Sequence, residues 1–205
     1  MGGTASPAAG KQKREQQKNV RRDAILAAAR KVFASKSYEG ATMADIAKEA
    51  GVAAGTVYLY YESKTDLFAA LNEQFFGAIQ KALIEAEAPP DVRGGTRARI
   101  SAVFAACADH ADLVRLVFLN PDPRTEVAKR LRSADEERHR PLAELLENGM
   151  NVGLVRRGDA MFYARLITGL VTMALYQCFV QSEGGDVGVY EEAVADMVIG
   201  ALTPP

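Results

Sequence analysis

From Asn19 onward, apolar positions recur with a helical period rather than the two-residue period of a strand. Ile25, Ala28, Ala29, Val32 and Phe33 predict an amphipathic helix over about 19–36. Gly40 breaks the chain. Thr42-Met-Ala-Asp45 has capping-box spacing: the threonine hydroxyl accepts the backbone N–H three residues on and the aspartate reaches back. It opens a short helix over about 43–49 that ends at Gly51, and Ala54 to Tyr60 forms a second short helix. Ser63-Lys-Thr-Asp66 repeats the capping spacing and opens a long helix over about 64–87, stopped by Pro89-Pro90. Helices over about 97–109 and 111–119 flank His110, and Pro121 and Pro123 interrupt. A charged helix over about 125–148 contains Pro141, and Gly149, Gly153 and Gly158 mark a turn. Asp159 caps an apolar helix to about Ser182, Gly184-Gly185 is a loop, and a last helix covers about 188–202.

No convincing strand pattern and no internal repeat interrupts this series. The chain is therefore expected to be all-α, with about nine helices. An N-terminal helix-turn-helix three-helix domain over 19–65 precedes a helical domain over 66–205. Residues 1–18 are rich in Gly, Ala, Ser, Pro, Lys and Gln, cannot bury apolar area, and are expected to be a disordered basic tail.

Composition narrows the class. Of 205 residues, 48% are hydrophobic and 25% charged, which excludes wholesale disorder. Cys107 and Cys178 are the only cysteines and lack metal-ligand spacing, which excludes a zinc finger or a disulfide scaffold and suits a reducing cytoplasm. Residues 1–19 carry no apolar core, so no secretory signal is expected. Leu166 to Val180 is a 15-residue apolar run containing Gln177. A membrane span needs roughly 20 such residues, so a helix buried in protein is expected, covered by the chain itself or by a partner subunit.

The net charge of −1 hides an asymmetry. Residues 1–65 hold 11 Lys and Arg against 6 Asp and Glu, whereas the rest hold 14 against 20. A basic front on an acidic body fits a nucleic-acid reader with a second module. Much of that excess is the Lys11–Arg22 run, either a solubilising tail or an arm that touches DNA.

Catalytic chemistry finds no footing. Glu136 and His139 have the Glu-x-x-His spacing of di-iron bundles, but only once, in a charged run that reads as a solvated helix face. No Ser/His/Asp or Cys/His set assembles, so no enzyme activity, metal or cofactor is expected.

Residues 42–61, TMADIAKEAGVAAGTVYLYY, carry the information. A capped short helix, a Gly51 turn and a second short helix form a helix-turn-helix, whose second helix contacts base edges with its N-terminal residues. Ala53, Ala54 and Gly55 let the backbone approach the groove floor, and Thr56 offers a hydroxyl and a methyl. Tyr58, Tyr60 and Tyr61 crowd one short element, so at least two face outward, where a phenol can bond phosphate. Lys64 begins the next helix, whose positive dipole end also favours phosphate.

This stretch resembles the DNA-binding domain of TetR-family transcriptional regulators. The resemblance covers residues 21 to about 71 through Phe33, Tyr38, Gly40, Thr42, Ile46, Ala47, Gly51, Val52, Thr56, Tyr58, Tyr60, Tyr61, Lys64 and Leu67. It implies that Thr42, Tyr58, Tyr60 and Lys64 hold the phosphate backbone and that Ala53–Thr56 faces the bases. One departure is that Ala53, Ala54 and Gly55 offer few donors for direct readout, so shape readout, thymine-methyl contact or the basic tail entering a minor groove supplies the rest of the specificity.

The resemblance further implies that residues 66–205 bind a small-molecule effector and form a homodimer. Such a dimer meets a near-palindromic double-stranded DNA operator, with recognition helices about 34–36 Å apart. Gly169, Ala174, Ala193, Met197 and Gly200 suit close packing of the last two helices across a subunit interface. Residues expected to line an effector pocket are Phe104, Cys107, Met150, Phe162, Thr172, Met173, Tyr176 and Gln177; the polar ones sit in an apolar helix and need partners. The expected function is a cytoplasmic repressor released by an apolar or aromatic molecule, with no membrane partner. The competing reading is a helical small-molecule-binding or enzymatic bundle whose basic hairpin is incidental.

Overall fold

The computed structural model describes residues 7–119, 135–182 and 185–204. Among them are nine α-helices: α1 (Pro7–Gly40), α2 (Met43–Glu49), α3 (Ala54–Tyr58), α4 (Lys64–Glu85), α5 (Val92–Ala108), α6 (Ala111–Leu119), α7 (Asp135–Asn151), α8 (Ala160–Tyr176) and α9 (Val187–Leu202). A π-helical turn, Gln177–Gln181, continues α8. The chain divides into two compact units, Met1–Leu71 and Asn72–Pro205, and the division falls within α4.

The first unit is built on the apolar stripe legible in the sequence. Ile25, Ala28, Ala29, Val32 and Phe33 of α1 are all buried, together with Ile46, Ala47, Val57, Leu67 and Phe68. Each large member stabilises the unit by about 1.5–3 kcal/mol through burial. Phe33, Tyr38 and Phe68 form an aromatic cluster with ring centroids 4.9–6.0 Å apart.

One feature of α1 differs from expectation, and its break falls beside the expected end at about residue 36. It starts at Pro7, so residues 7–18 are helical rather than disordered. Lys, Gln, Arg and Glu propagate a helix at little cost once the following turns are fixed by packing, and no proline interrupts after Pro7. The described side chains from Arg14 to Ala24 are exposed, so none of them adds to the core. The regular run is then broken at Ser37, a non-glycine residue at φ 63°, ψ 169°.

In the second unit α7 packs on α8, α5 on α9, α8 on α9, and α6 on the π turn. Phe104, Cys107, Leu113, Val114, Leu175, Cys178 and Val194 form its core. Arg115 donates from Nε to the Phe179 carbonyl at 2.9 Å, satisfying an acceptor of the wide turn. Helix α5 starts five residues earlier than expected, capped by the Asp91 side chain, which accepts the Gly94 N–H at 2.8 Å. A Cβ on Gly94 or Gly95 would lie 2.9–3.0 Å from Pro89 atoms. They are required by the close return of the chain, not by flexibility.

His139, expected on a solvated face, is buried instead. The interruption at Pro121 and Pro123, the front of the 125–148 helix and the Gly184 end of its loop lie outside the described residues.

Candidate functional site

The helix-turn-helix forms through its caps. Thr42 stands outside α2 in extended geometry; its Oγ1 accepts the Asp45 N–H at 3.1 Å, and Asp45 Oδ2 accepts the Thr42 N–H at 3.1 Å. The Thr42 hydroxyl proton also goes to Asp45 Oδ2, at 2.8 Å, and Lys36 Nζ donates to Asp45 Oδ1 at 2.6 Å. The Lys36 hydrogen bond, seconded by Thr42, lowers the Asp45 carboxyl to about 2. At the turn, Gly51 adopts φ 66° and the Val52 N–H returns to the Ala47 carbonyl at 3.0 Å. An L side chain at that φ costs roughly 1–2 kcal/mol, which is why glycine stands there.

Helix α3 is one turn long, anchored inward by fully buried Val57. Ala53, Ala54 and Gly55 are exposed, and Thr56 is half-buried. A Cβ placed on Gly55 meets nothing within 4 Å, so this edge is open. Tyr58, one turn on from Ala54 and Gly55, is 52% exposed and shares their face. Leu59, at 81%, is an exposed leucine that periodicity had no means of marking as a surface group. Tyr60 is half-buried.

Two expected phosphate contacts are placed differently. Tyr61 is only 5% exposed, and its phenol oxygen accepts from Arg22 Nε at 3.3 Å. The count of outward tyrosines allowed for one such core member. Lys64 is the larger change. Its Nζ donates to the carbonyls of Tyr38 at 2.7 Å, Ala41 at 3.1 Å and Glu39 at 3.2 Å, and it lies 4.6 Å from the Tyr38 ring centroid. The ammonium has three protons and all three have acceptors, so it serves the carbonyls left at the end of α1.

The open positions Ala53, Ala54, Gly55, Tyr58 and Leu59 are thus carried on one short helix, with Thr42, Tyr61 and Lys64 holding the helices around it. Further basic groups, Arg14, Lys18 and Arg21, are exposed along the front of α1.

The second unit contains a cavity of about 390 Å³ within the range of small-molecule sites. Residues of α5, α7, α8 and α9 line it, with Leu83 and the Pro89–Pro90 turn. None of the eight residues expected to line an effector pocket lines this cavity. Phe104 and Cys107 are sealed in the core, and burial pushes the Cys107 thiol up to about 12. Met150 borders two other clefts. Phe162, Met173 and Gln177 are exposed, and Thr172 is half-buried away from the cavity. Tyr176 packs edge-on against Phe118 at 5.8 Å and accepts from Gln181 Nε2 at 2.7 Å. The reason is physical: α8 is apolar all round, so periodicity does not say which face meets the core, a cavity or a partner.

That helix also leaves a stripe open. Phe162, Leu166, Gly169 and Met173 of α8 are exposed, as are Val189, Ala193, Met197 and Gly200 of α9. By length and composition alone, Ala160–Gln181 is apolar enough to cross a membrane, and only 22% of its window is buried. The matching stripe on neighbouring α9 is what an uncovered protein interface shows.

Known proteins share these features. The profile of "Bacterial regulatory proteins, tetR family" matches residues 25–71. A fatty acid metabolism regulator protein of Bacillus subtilis is 23% identical over 186 residues, spanning 87% of this chain and 93% of the relative. The transcriptional activator FasR of Mycolicibacterium smegmatis is 30% identical over 104 residues, half of this chain and 48% of the relative. The solved structure of FadR from Bacillus subtilis in complex with stearoyl-CoA superposes with a TM-score of 0.75 at 22% identity, covering 87% of this chain and 97% of that one. FadR from Bacillus halodurans gives 0.77 at 24%, covering 88% and 95%. The match over residues 25–71 coincides with the capped α2, the Gly51 turn and the open α3, so it is the helix-turn-helix of the first unit that is similar to the tetR family of bacterial regulatory proteins.

Proposed function

We propose that this protein is a cytoplasmic, ligand-responsive transcriptional regulator that binds DNA as a homodimer and is released by an acyl-type effector. The observation that carries the reading is the first unit: α3 is anchored by Val57, and Ala54, Gly55 and Tyr58 form an open face within the stretch matched by the family. With no side-chain donors at 53–55, contact rests on close backbone approach, the Thr56 methyl and hydroxyl, and phosphate bonds from Tyr58 and Tyr60. Thr42, Tyr61 and Lys64 position these groups.

Dimerisation is assigned to the apolar stripes of α8 and α9, where glycines 169 and 200 allow two subunits to approach closely. Two recognition helices then meet successive major grooves of a near-palindromic operator. Repression is by occlusion of a promoter. The effector favours a dimer whose reading heads no longer fit, a coupling of about 1–3 kcal/mol, or roughly 5–150-fold in operator affinity. The names of two relatives, one concerned with fatty acid metabolism and one bound to stearoyl-CoA, make acyl compounds the first effectors to try.

A mobility-shift titration on the DNA upstream of the chain's own gene tests the reading. Specific binding whose log K falls with log salt at a slope near −0.9 per phosphate contacted is expected. Absence of any specific shift at low salt on a panel of upstream sequences would overturn it.

A further inference from the structure

The buried stripe of α1 does not end where the core ends; it changes character. Ile25, Ala29 and Val32 recur at helical spacing and are buried. Carried back along the helix at the same spacing, the next positions are Arg21 and Arg22, then Lys18, then Arg14, all exposed. At 3.6 residues per turn these four cations fall within a sector of about 100° around the line of Ile25. Glu15 and Asp23 lie outside that sector, and Gln12, Gln16 and Val20 occupy the opposite side. The face is apolar where α1 has a core to meet and cationic where it has none.

The stripe begins beside the helix-turn-helix. Arg22 Nε donates to the Tyr61 hydroxyl at 3.3 Å, and its guanidinium stands 5.8 Å from the Tyr61 ring centroid. The side of α1 that carries the cations is therefore the side that packs on the segment ending α3. Among the described residues, no ion pair engages Arg14, Lys18 or Arg21. Like charges one turn apart repel, so cations gathered on one face cost helix stability that a polyanion along that face returns. The spacing suits DNA. Arg14 and Arg21 stand about 10 Å apart along the axis at 1.5 Å per residue, and the phosphates of one strand recur about every 3.4 Å, about three phosphates for three cations. The opposite side bears Gln12 and Gln16 rather than an apolar stripe, which disfavours a membrane surface.

We infer that the front of α1 is a second DNA-binding surface, a continuous helix whose Arg14, Lys18 and Arg21 follow the phosphates of one strand outside the base pairs that α3 reads. The partner is double-stranded DNA, recognised by its backbone charge without sequence preference, and the footprint lengthens by about three base pairs per subunit. The inference rests on the DNA-binding reading above and adds a surface to it. That surface differs from a flexible basic tail in one respect: its cations act only in helical register.

The test uses the full chain, thermal melting, and anisotropy titrations over a salt series. The probes are the duplex from upstream of the chain's own gene, a scrambled duplex of equal length, and phosphatidylserine vesicles. A triple variant, Arg14→Gln with Lys18→Gln and Arg21→Gln, should melt as wild type does, because all three side chains are exposed. It should bind both duplexes at least tenfold more weakly, with a salt slope shallower by about 2.7 per subunit and an unchanged ratio between the two. A register variant, Gln12→Arg with Arg14→Gln and Gln16→Lys with Lys18→Gln, keeps the net charge and turns two cations about 200° round the helix. It should lose most of that affinity. Gln17→Pro keeps every cation, breaks the helix between them, and should do the same. Wild-type affinity and slope in any one of the three variants would overturn the inference and leave the regulator reading standing. Vesicles that bind wild type more tightly than the scrambled duplex does would overturn it in favour of a membrane. Scrambled-duplex binding that the triple variant loses, without any specific upstream complex, would overturn the regulator reading and support the surface. No binding to either duplex at low salt would overturn both.

Discussion

Replacing Lys64 by methionine separates two roles that sequence alone assigns together. The side chain donates to three carbonyls, at 2.7, 3.1 and 3.2 Å, and stacks on Tyr38 at 4.6 Å. Methionine keeps an apolar stem against the ring and removes every donor. A hydrogen bond to a charged group is worth about 1.5–3 kcal/mol net. The Glu39 contact is exposed and water replaces it, whereas those to Tyr38 and Ala41 are part-buried. One such bond's worth, about 2 kcal/mol, is the expected loss. For a chain of this size that lowers the melting temperature by about 4–8 °C. DNA affinity, measured well below the transition, should stay within about threefold of wild type, with an unchanged salt slope. Tyr58→Phe should behave in the opposite way: melting unchanged, affinity down by roughly fivefold for a phosphate hydrogen bond of about 1 kcal/mol. Circular dichroism melts and anisotropy titrations over a salt series read both. Unchanged melting in Lys64→Met, with a salt slope reduced by about one phosphate, would refute the assignment and return Lys64 to the DNA backbone.

Asp45 makes the first unit acid-sensitive in a defined window. Its folded carboxyl sits at about 2, below the ordinary 3.8, so the unfolded state binds the proton more readily. Its stabilisation is complete above about pH 4 and is lost as pH falls towards 2. Melting followed from pH 5 to pH 2 should show this dependence in wild type and a flatter one in Asp45→Asn. Gly51→Ala has room for its methyl but not the φ, and should cost about 1–2 kcal/mol in a denaturant titration, with Gly51→Asn costing less. Met173→Asp and Met197→Asp place charge on the two exposed stripes and should yield monomers in sedimentation velocity without loss of helix content; a persisting dimer would remove α8 and α9 from the interface.

The parts legible in the sequence share one physical property: a local pattern with a single structural solution. The Thr42–Asp45 box, the Gly51 turn and the Ile25–Phe33 stripe each leave the chain one way to satisfy its backbone or bury its face. The Ser63–Asp66 cap likewise forms, with the Asp66 N–H on Ser63 Oγ at 3.2 Å. What was illegible depended on tertiary neighbours. Lys64 at a helix start reads as a phosphate contact until the carbonyls of residues 38, 39 and 41 are seen to converge on it from 23 to 26 residues away. Leu59 drew no assignment because nothing local says that α3 ends beneath it. In the second unit, apolar faces outnumber the surfaces one subunit can bury. Phe162 and Met173 were therefore expected in a pocket but lie on the outer stripe, and the cavity opened beside Arg99, which the pattern had given no role.

Substitution of Gly55 by glutamate puts the central claim, that the open edge of α3 is the DNA-reading surface, to the most direct test. The position is exposed and a Cβ there meets nothing within 4 Å, so the fold has no reason to change. A melting temperature at or slightly above that of wild type, together with a loss of operator affinity of more than a hundredfold, is the expected result. A Gly55→Glu protein that melts normally and still binds the operator with wild-type affinity would contradict the account.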